Sequence, residues 1–158
     1  TSNYPLVIQI ADQGTPAFTT TTTLTISVTD VNDNDPVFTG GPTFTASVSE
    51  GVALGHIVIT LTASDADTGS AGAVGYSIFS GNAEGKFGLS RSTGDLEIVD
   101  LLDYETTSSY TLVVYAVDKG ASPHTASATV SVTITNENDN SPSCSAALYV
   151  GTVLEDAV

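Results

Sequence analysis

Hydrophobic and polar residues alternate along most of the chain, and a period of two is typical of β-strands with one buried face. The clearest run is residues 110–117, in which Tyr110, Leu112 and Val114 share one face. Residues 128–134 repeat the pattern. Further strands are predicted at 43–48, 56–63, 74–79, 86–90 and 95–99.

Glycine, serine, asparagine and aspartate fill the intervals between these runs, and these residues favour turns. No segment shows the apolar stripe of a helix, although residues 100–105 could form one short helical turn. The pattern therefore predicts an all-β fold, a seven-stranded antiparallel Greek-key β-sandwich of immunoglobulin-like type. The chain has one cysteine and no tryptophan, which excludes an antibody-type disulfide core.

A repeated segment divides the chain. Residues 30–34 read Asp-Val-Asn-Asp-Asn, and 106 residues later residues 136–140 read Asn-Glu-Asn-Asp-Asn. Matches at the same spacing extend into the preceding strands, such as Tyr4 with Tyr110. We predict three tandem pieces. These are the C-terminal part of a repeat with its linker (1–34), a complete repeat with its linker (35–140), and the N-terminal start of another (141–158).

The charge of the chain is strongly negative. It carries 18 acidic residues against three Lys and Arg, for a formal net charge of −15. This charge argues against nucleic acid or an anionic membrane as a partner. No apolar run is long enough to span a bilayer, so we expect no membrane insertion in this stretch, which we read as part of a longer protein. The single cysteine, Cys144, is expected to be a small buried apolar side chain; the alternative is a disulfide to a partner outside this chain.

Ten of the acidic residues are predicted to collect at the two ends of the complete sandwich. The set nearest linker 30–34, here called the first junction, is Asp30, Asp33, Asp65, Asp67 and Asp118. The set nearest linker 136–140, the second junction, is Glu50, Asp103, Glu105, Glu137 and Asp139. Carboxylates so crowded repel one another. Ca²⁺ suits them because it takes six to eight oxygen ligands, whereas the lack of a His or Cys cluster argues against zinc or copper.

These motifs resemble the extracellular repeats of cadherins, and the resemblance covers essentially all of the chain. The first matching motif is linker 30–34, and the second is the Asp-Ala-Asp segment 65–67, which is followed by Gly69. The others are Glu50 after the first strand, the Leu-Asp-Tyr-Glu segment 102–105 and the Ala-Val-Asp segment 116–118. Each motif alone is weak, but all five occur in order at the spacing of the repeat.

The resemblance implies three Ca²⁺ ions at each junction, with part of each ligand set outside this chain. At the first junction it implies the side chains of Asn32, Asp33, Asp65, Asp67 and Asp118 and the carbonyl groups of Asn34 and Ala71. At the second it implies Glu50, Asp103, Glu105, Asp139, the Glu137 carbonyl and, for a third ion, Asn138. Three residues depart from the family pattern: Tyr104 replaces the usual Arg, Asn136 the usual Asp, and Ala71 the usual Asn.

The expected function is that of an ectodomain fragment of a calcium-dependent cell–cell adhesion receptor, in which Ca²⁺ stiffens tandem repeats. The expected partners are other cadherin repeats of the same chain and a cadherin ectodomain on the same or the opposing cell. The resemblance also implies an extracellular location within a single-pass plasma-membrane protein. The alternative is a cadherin-like module that binds a carbohydrate or a non-cadherin protein.

Catalysis is not expected. Asp65 with Asp67, or Asp103 with Glu105, could suggest the acid and base of a glycosidase. However, the loops are short and no insertion forms a cleft. The two histidines, His56 and His124, lack a nucleophile signature and are expected on the surface.

Overall fold

A computed structural model describes residues 2–144, 148, 150, 151 and 155. The described residues form eleven β-strands and no helix. In chain order the strands are β1 (Ser2–Ala11), β2 (Thr19–Val28), β3 (Val37–Phe38), β4 (Thr43–Ser49), β5 (Ile57–Thr60), β6 (Ala63–Ser64), β7 (Gly75–Ser80), β8 (Phe87–Leu89), β9 (Asp95–Ile98), β10 (Ser109–Val117) and β11 (Thr125–Thr135).

The complete repeat contains two main sheets. A four-stranded sheet has the order β4-β11-β10-β7, and a three-stranded sheet has the order β5-β9-β8. The short strands β3 and β6 pair separately. Each predicted strand is present, but the predicted strand 56–63 is divided into β5 and β6, which belong to different sheets. The pairing of β5 with β9 also shifts register between Ile57 and Ile59.

One strand pair is parallel in a sheet predicted to be antiparallel. β11 pairs with β4 in the parallel direction, from Thr129 opposite Thr43 to Thr135 opposite Ser49. Both strands run from the first junction towards the second, because β4 follows the first linker and β11 leads into the second. The chain therefore enters the sandwich at one end and leaves it at the other.

Alternating residues of the two main sheets meet in the core. Leu96, Leu112, Val114 and Val130 are each fully buried, as is Leu61 in the segment between β5 and β6. Burial of an aliphatic side chain of this size contributes about 1.5–3 kcal/mol relative to exposure. The core thus holds the ends of the strands, and the acidic loops that extend from them, in fixed positions.

The hairpin β1–β2 has the same register as β10–β11. Leu6 pairs with Leu24, as Leu112 pairs with Val130 at the equivalent positions. The two hairpins differ in burial, since Leu6 is 48% exposed and Leu112 is fully buried. The alternation of the sequence is therefore sufficient for the pairing, while burial requires a second sheet.

Two smaller predictions have different outcomes. The prediction that Cys144 is buried is wrong, because the cysteine is exposed and free. It follows the second linker, where residues 141–143 are exposed as well, so no core surrounds it. The segment 100–105 forms no helix, but the Thr107 N–H donates to the Asp103 carbonyl at 2.9 Å, which closes one turn of helical spacing.

Candidate metal centres

Asp118 is the centre of the first junction. It follows β10 directly, and it is buried, with 3% of its surface exposed. Its carboxylate accepts hydrogen bonds from the Gly120 N–H at 2.7 Å and from the His124 N–H at 2.6 Å. These two backbone groups hold the carboxylate in one orientation, beneath the linker that carries Asn32.

Asn32 faces Asp118 across the junction with its amide in a defined orientation. Its Nδ2 group donates to the Ser122 carbonyl at 2.8 Å and lies 3.3 Å from each oxygen of Asp118. Gly120 allows this approach, because a β-carbon there would lie 2.5 Å from Asn32 Nδ2. With Nδ2 committed, Asn32 Oδ1 is buried and has no hydrogen-bond partner.

Asp65 provides a second buried oxygen without a partner. Its Oδ1 accepts the Asp67 N–H at 2.9 Å, and its Oδ2 is buried and unpaired. Asn32 Oδ1 and Asp65 Oδ2 are the two buried side-chain polar atoms that lack a partner in the part of the chain that the structure describes. Such atoms are rare in native proteins, because each costs about 1–3 kcal/mol in lost solvation. Both belong to residues predicted to bind a cation.

Asp67 and the linker complete the first junction. The Asn34 N–H donates to Asp67 Oδ2 at 3.1 Å, and the Asn34 side chain bonds both Asp67 and Asp33. The Thr68 N–H donates to Asp30 Oδ2 at 2.9 Å. The structure therefore brings the linker acids and Asp67 to the same end of the sandwich.

Hydrogen bonds lower the pKa of two acids of the first junction, Asp67 and Asp118. The Asn34 side chain is the main cause of a lowered pKa at Asp67. Burial alone raises the pKa of Asp118, but the N–H groups of Gly120 and His124 outweigh it, and the net pKa is lowered. The pKa of His124 is raised, chiefly because its ring bonds the Asn34 carbonyl and secondly because Asp35 is near.

Three carboxylates converge at the second junction. Glu50, Glu105 and Asp139 each place one oxygen within 4.8 Å of the others. Glu50 is buried, with 6% of its surface exposed, and its two oxygens accept the N–H groups of Tyr104 at 2.6 Å and Glu137 at 2.7 Å. This arrangement fixes Glu50, while the other two carboxylates extend from exposed residues.

The remaining predicted residues of the second junction lie outside this group of three. Asp103 binds the N–H and the hydroxyl of Thr106, at 3.0 and 2.9 Å, and the side-chain bond is the main cause of its lowered pKa. The Glu137 carbonyl accepts the Asp139 N–H at 3.1 Å. Asn138 is exposed. At the first junction, Ala71 is buried and the Asn34 carbonyl bonds the His124 ring at 2.8 Å.

The comparisons with known proteins identify the family. The model of the cadherin domain matches residues 44–135, which is more than half of the chain. The chain belongs to the cadherin family. It is 39% identical to human Protocadherin Fat 1 over 153 residues, 97% of this chain and 3% of that protein. It is 46% identical to human Cadherin EGF LAG seven-pass G-type receptor 2 over 123 residues, 77% of this chain and 4% of that protein.

Solved cadherin structures confirm the predicted all-β sandwich. The chain matches PcdhgB3 EC1-4 with a TM-score of 0.76 at 35% identity, over 89% of this chain and 34% of that chain. It matches the cis-dimer of protocadherin gammaB7 EC3-6 with a TM-score of 0.73 at 30% identity, over 89% of this chain and 35% of that chain. The chain thus spans a small part of each protein that it resembles.

Membership of this family also confirms that the chain is not an enzyme, because cadherin repeats belong to non-enzymatic adhesion proteins. None of the described residues lies in a helix that could cross a membrane.

Two contributions to the cadherin junctions were missed from the sequence. His124 contacts Asp118 through its N–H and the Asn34 carbonyl through its ring, and Ser122 orients the Asn32 amide. Both residues lie in the loop between β10 and β11, which the sequence marks only as a turn. Their proximity to the start of β11, a strand that begins at the first junction, is the signal that could have indicated them.

Proposed function

We propose that the two junctions bind Ca²⁺ and that the ions fix each linker relative to the sandwich. The observation that supports this most strongly is the pair of buried, unpaired oxygens, Asn32 Oδ1 and Asp65 Oδ2. Asn32 belongs to the linker and Asp65 to the sandwich, so a cation bound by both oxygens would join the linker to the sandwich. Ca²⁺ fits this set because it combines amide, carboxylate and carbonyl oxygens in a flexible geometry.

The second junction offers a donor set of the same kind. Glu50 and Glu105 come from the sandwich and Asp139 from the linker, and their oxygens already lie within 4.8 Å of one another. Without a cation these carboxylates repel, and with one they bind a shared charge. Asp103, the Glu137 carbonyl and Asn138 would complete the ligands there. At the first junction Asp33, Asp67, Asp118 and the carbonyl groups of Asn34 and Ala71 have that role.

Ordering of the linkers is the physical result of binding. Extracellular calcium modules have dissociation constants of about 10⁻⁴ to 10⁻³ M, and a site at tenfold excess of ion adds about 1.4 kcal/mol. Several such sites at one junction add a few kcal/mol between them. Successive sandwiches then form a stiff array in place of a flexible one.

The biological setting belongs to the same proposal. The pieces 1–34, 35–140 and 141–158 are parts of successive repeats in a longer extracellular ectodomain, carried by a single-pass plasma-membrane protein. The ectodomain engages a cadherin ectodomain on the same or the opposing cell. The comparison chain described as a cis-dimer of protocadherin gammaB7 EC3-6 supports contacts between cadherins as the mode of action.

Calcium titration of the ¹⁵N-labelled chain tests binding at each junction separately. The amide signals of Gly120 and His124 report on the first junction, and those of Tyr104 and Glu137 on the second. We expect both pairs to shift, with dissociation constants of about 10⁻⁴ to 10⁻³ M. Amides that do not move when calcium is in large excess would rule out the proposed centres.

Small-angle X-ray scattering tests the stiffening. A longer stretch of the parent protein, with complete repeats on both sides of residues 35–140, is measured with calcium and with chelator. We expect a longer and narrower distribution of interatomic distances with calcium. Equal maximum dimensions in both conditions would contradict the stiffening while leaving the binding result intact.

A further inference from the structure

The outer face of the four-stranded sheet carries an exposed aromatic pair. Phe79 on β7 is 63% exposed and stacks on Tyr115 of β10, with ring centroids 4.5 Å apart and 18° between the ring planes. Ser77, Val113 and Val117 share this face, because the alternate residues of these strands turn into the core. We call these five residues the β7–β10 patch. Large aromatic side chains are enriched among the residues that dominate binding at protein interfaces.

The sheet beneath the patch is uncharged. Strands β4, β7, β10 and β11 contain no Asp, Glu, Lys or Arg. The whole chain, by contrast, has 18 acidic residues and a net charge of −15. Two copies of such a chain repel one another over most orientations. Contact through this sheet removes the repulsion at the interface, because neither copy presents a carboxylate from these strands.

Positive charge is concentrated at one end of the patch. Arg91 and Lys119 line a cleft of about 180 Å³ together with Ser77 and Val117 of the patch. A β-carbon built on Gly75 would lie 3.8 Å from Arg91 Cγ and 3.8 Å from Lys119 Cε, so both side chains converge on this glycine. Two of the three basic residues of the chain therefore share one site.

These two cations have no acidic partner among the residues described, whereas Lys86 pairs with Asp100 at 2.8 Å. Asp118 also lines the cleft, but its carboxylate is buried and accepts the N–H groups of Gly120 and His124. Arg91 and Lys119 are thus available to carboxylates of another molecule. An acidic protein surface has the complementary charge.

We propose that the β7–β10 patch, with Arg91 and Lys119 at its end, is the surface through which this repeat binds a second copy of the same chain. The aromatic pair becomes buried, and the two cations at the end of the patch meet carboxylates of the second copy that lie outside its four-stranded sheet. The inference rests on the proposed function only in taking a cadherin repeat as the partner. The patch lies within one sandwich, so it does not depend on calcium at either junction.

Sedimentation equilibrium of the whole chain, over a concentration series in calcium buffer, tests the proposal. We expect reversible dimers. Phe79→Ser should raise the dimer dissociation constant about tenfold, because it removes the exposed anchor. Arg91→Gln combined with Lys119→Gln should raise it several-fold at low salt, and this difference from the unaltered chain should shrink as NaCl is raised and screens the two cations.

Matched variants separate the patch from other sources of association. Phe18→Ser removes a phenylalanine outside the patch that is even more exposed than Phe79, and Thr21→Glu with Thr23→Glu adds the same two units of negative charge elsewhere. Both should leave the dissociation constant unchanged. Leu6→Ser tests the open face of the β1–β2 hairpin. If Leu6→Ser abolishes the dimer and Phe79→Ser does not, or if the chain is monomeric throughout, the proposal is wrong.

Calcium titration of the Phe79→Ser variant distinguishes this proposal from the proposed function. We expect the Gly120 and Glu137 amides to shift as in the unaltered chain. Loss of the dimer with normal calcium shifts supports the patch. A normal dimer in a chain that binds no calcium would contradict the proposed function and leave the patch intact.

Discussion

The two junctions of the complete repeat use acidic residues in different ways. At the first junction short Asp and Asn side chains are fixed by backbone N–H groups, and two buried oxygens remain without partners. At the second junction both oxygens of the buried Glu50 accept N–H groups, and the carboxylates beside it are exposed. The cation that we propose would therefore supply the missing partner of two buried oxygens at the first junction, whereas at the second it would gather side chains that water also solvates.

The difference indicates where each junction is vulnerable. The side chains of the first junction are preorganised, so a change to one buried side chain should lower both the stability of the junction and its calcium affinity. The side chains of the second junction are longer and more exposed, so its calcium affinity should depend more on total charge.

The largest expected effect comes from Asp118→Ala. It leaves the N–H groups of Gly120 and His124 without their acceptor, while the Asn32 amide keeps its bond to the Ser122 carbonyl. We expect the free energy of unfolding to fall by about 2–3 kcal/mol even without calcium. Urea denaturation with chelator measures this change. A loss seen only when calcium is present would show that Asp118 acts as a ligand alone.

Asp67→Asn should break the first junction selectively. It removes a negative charge and places an amide against the donor groups of Asn34. We expect calcium at the first junction to weaken about tenfold or more, with the second unchanged. Glu50→Gln is the matched variant and should give the reverse pattern in the amide titration. Equal losses at both junctions from either variant would mean that the two acidic sets are wrongly assigned.

Gly120→Ala should have a smaller effect at the first junction. The added methyl group would lie within 2.5–2.9 Å of the Asn32 side-chain amide and so displaces it from Asp118. We expect calcium affinity there to fall by about threefold, because one neutral ligand moves. Gly51→Ala is the control, since the nearest atoms to its methyl group belong to the exposed carboxylate of Glu137, away from the first junction. A fall of the same size in the control would point to a general backbone effect.

Asn136→Asp should have the smallest effect of the four variants, and it tests the importance of charge at the second junction. Asn136 Nδ2 donates to Glu105 Oε1 at 3.0 Å, and an aspartate there would set two carboxylates against each other. We expect the calcium-free chain to lose a few tenths of a kcal/mol and calcium affinity at the second junction to rise about two- to threefold. Urea denaturation with chelator measures the loss of stability, and isothermal titration calorimetry measures the gain in calcium affinity. Weaker calcium binding would contradict the charge argument.

The strands and the grouping of acids could be predicted from the sequence, because both are expressed locally. Alternation fixes which face of β10 is buried, and the repeat of the linker marks the two ends of the sandwich. The hairpin β1–β2 shows how local this information is. It keeps the register of β10–β11 although Leu6 and Leu24 are about half exposed.

The features that the sequence did not reveal depend on tertiary contacts. The run 56–63 contains no Gly or Pro to mark a break, yet it divides into two strands that belong to different sheets. His124 and Ser122 reach the first junction only because β11 begins beside linker 30–34. Cysteine is a residue type that is often buried in cores, but Cys144 and residues 141–143 before it are exposed.

The parallel pairing of β4 and β11 determines how the repeat responds to a force that pulls its two ends apart. Pulling the two ends of the repeat apart drags β4 towards the first linker and β11 towards the second. The bonds between Thr43–Ser49 and Thr129–Thr135 are then sheared together, so they cannot open one after another like a zipper. A chain of such sandwiches should transmit tension along its length while each sandwich stays folded.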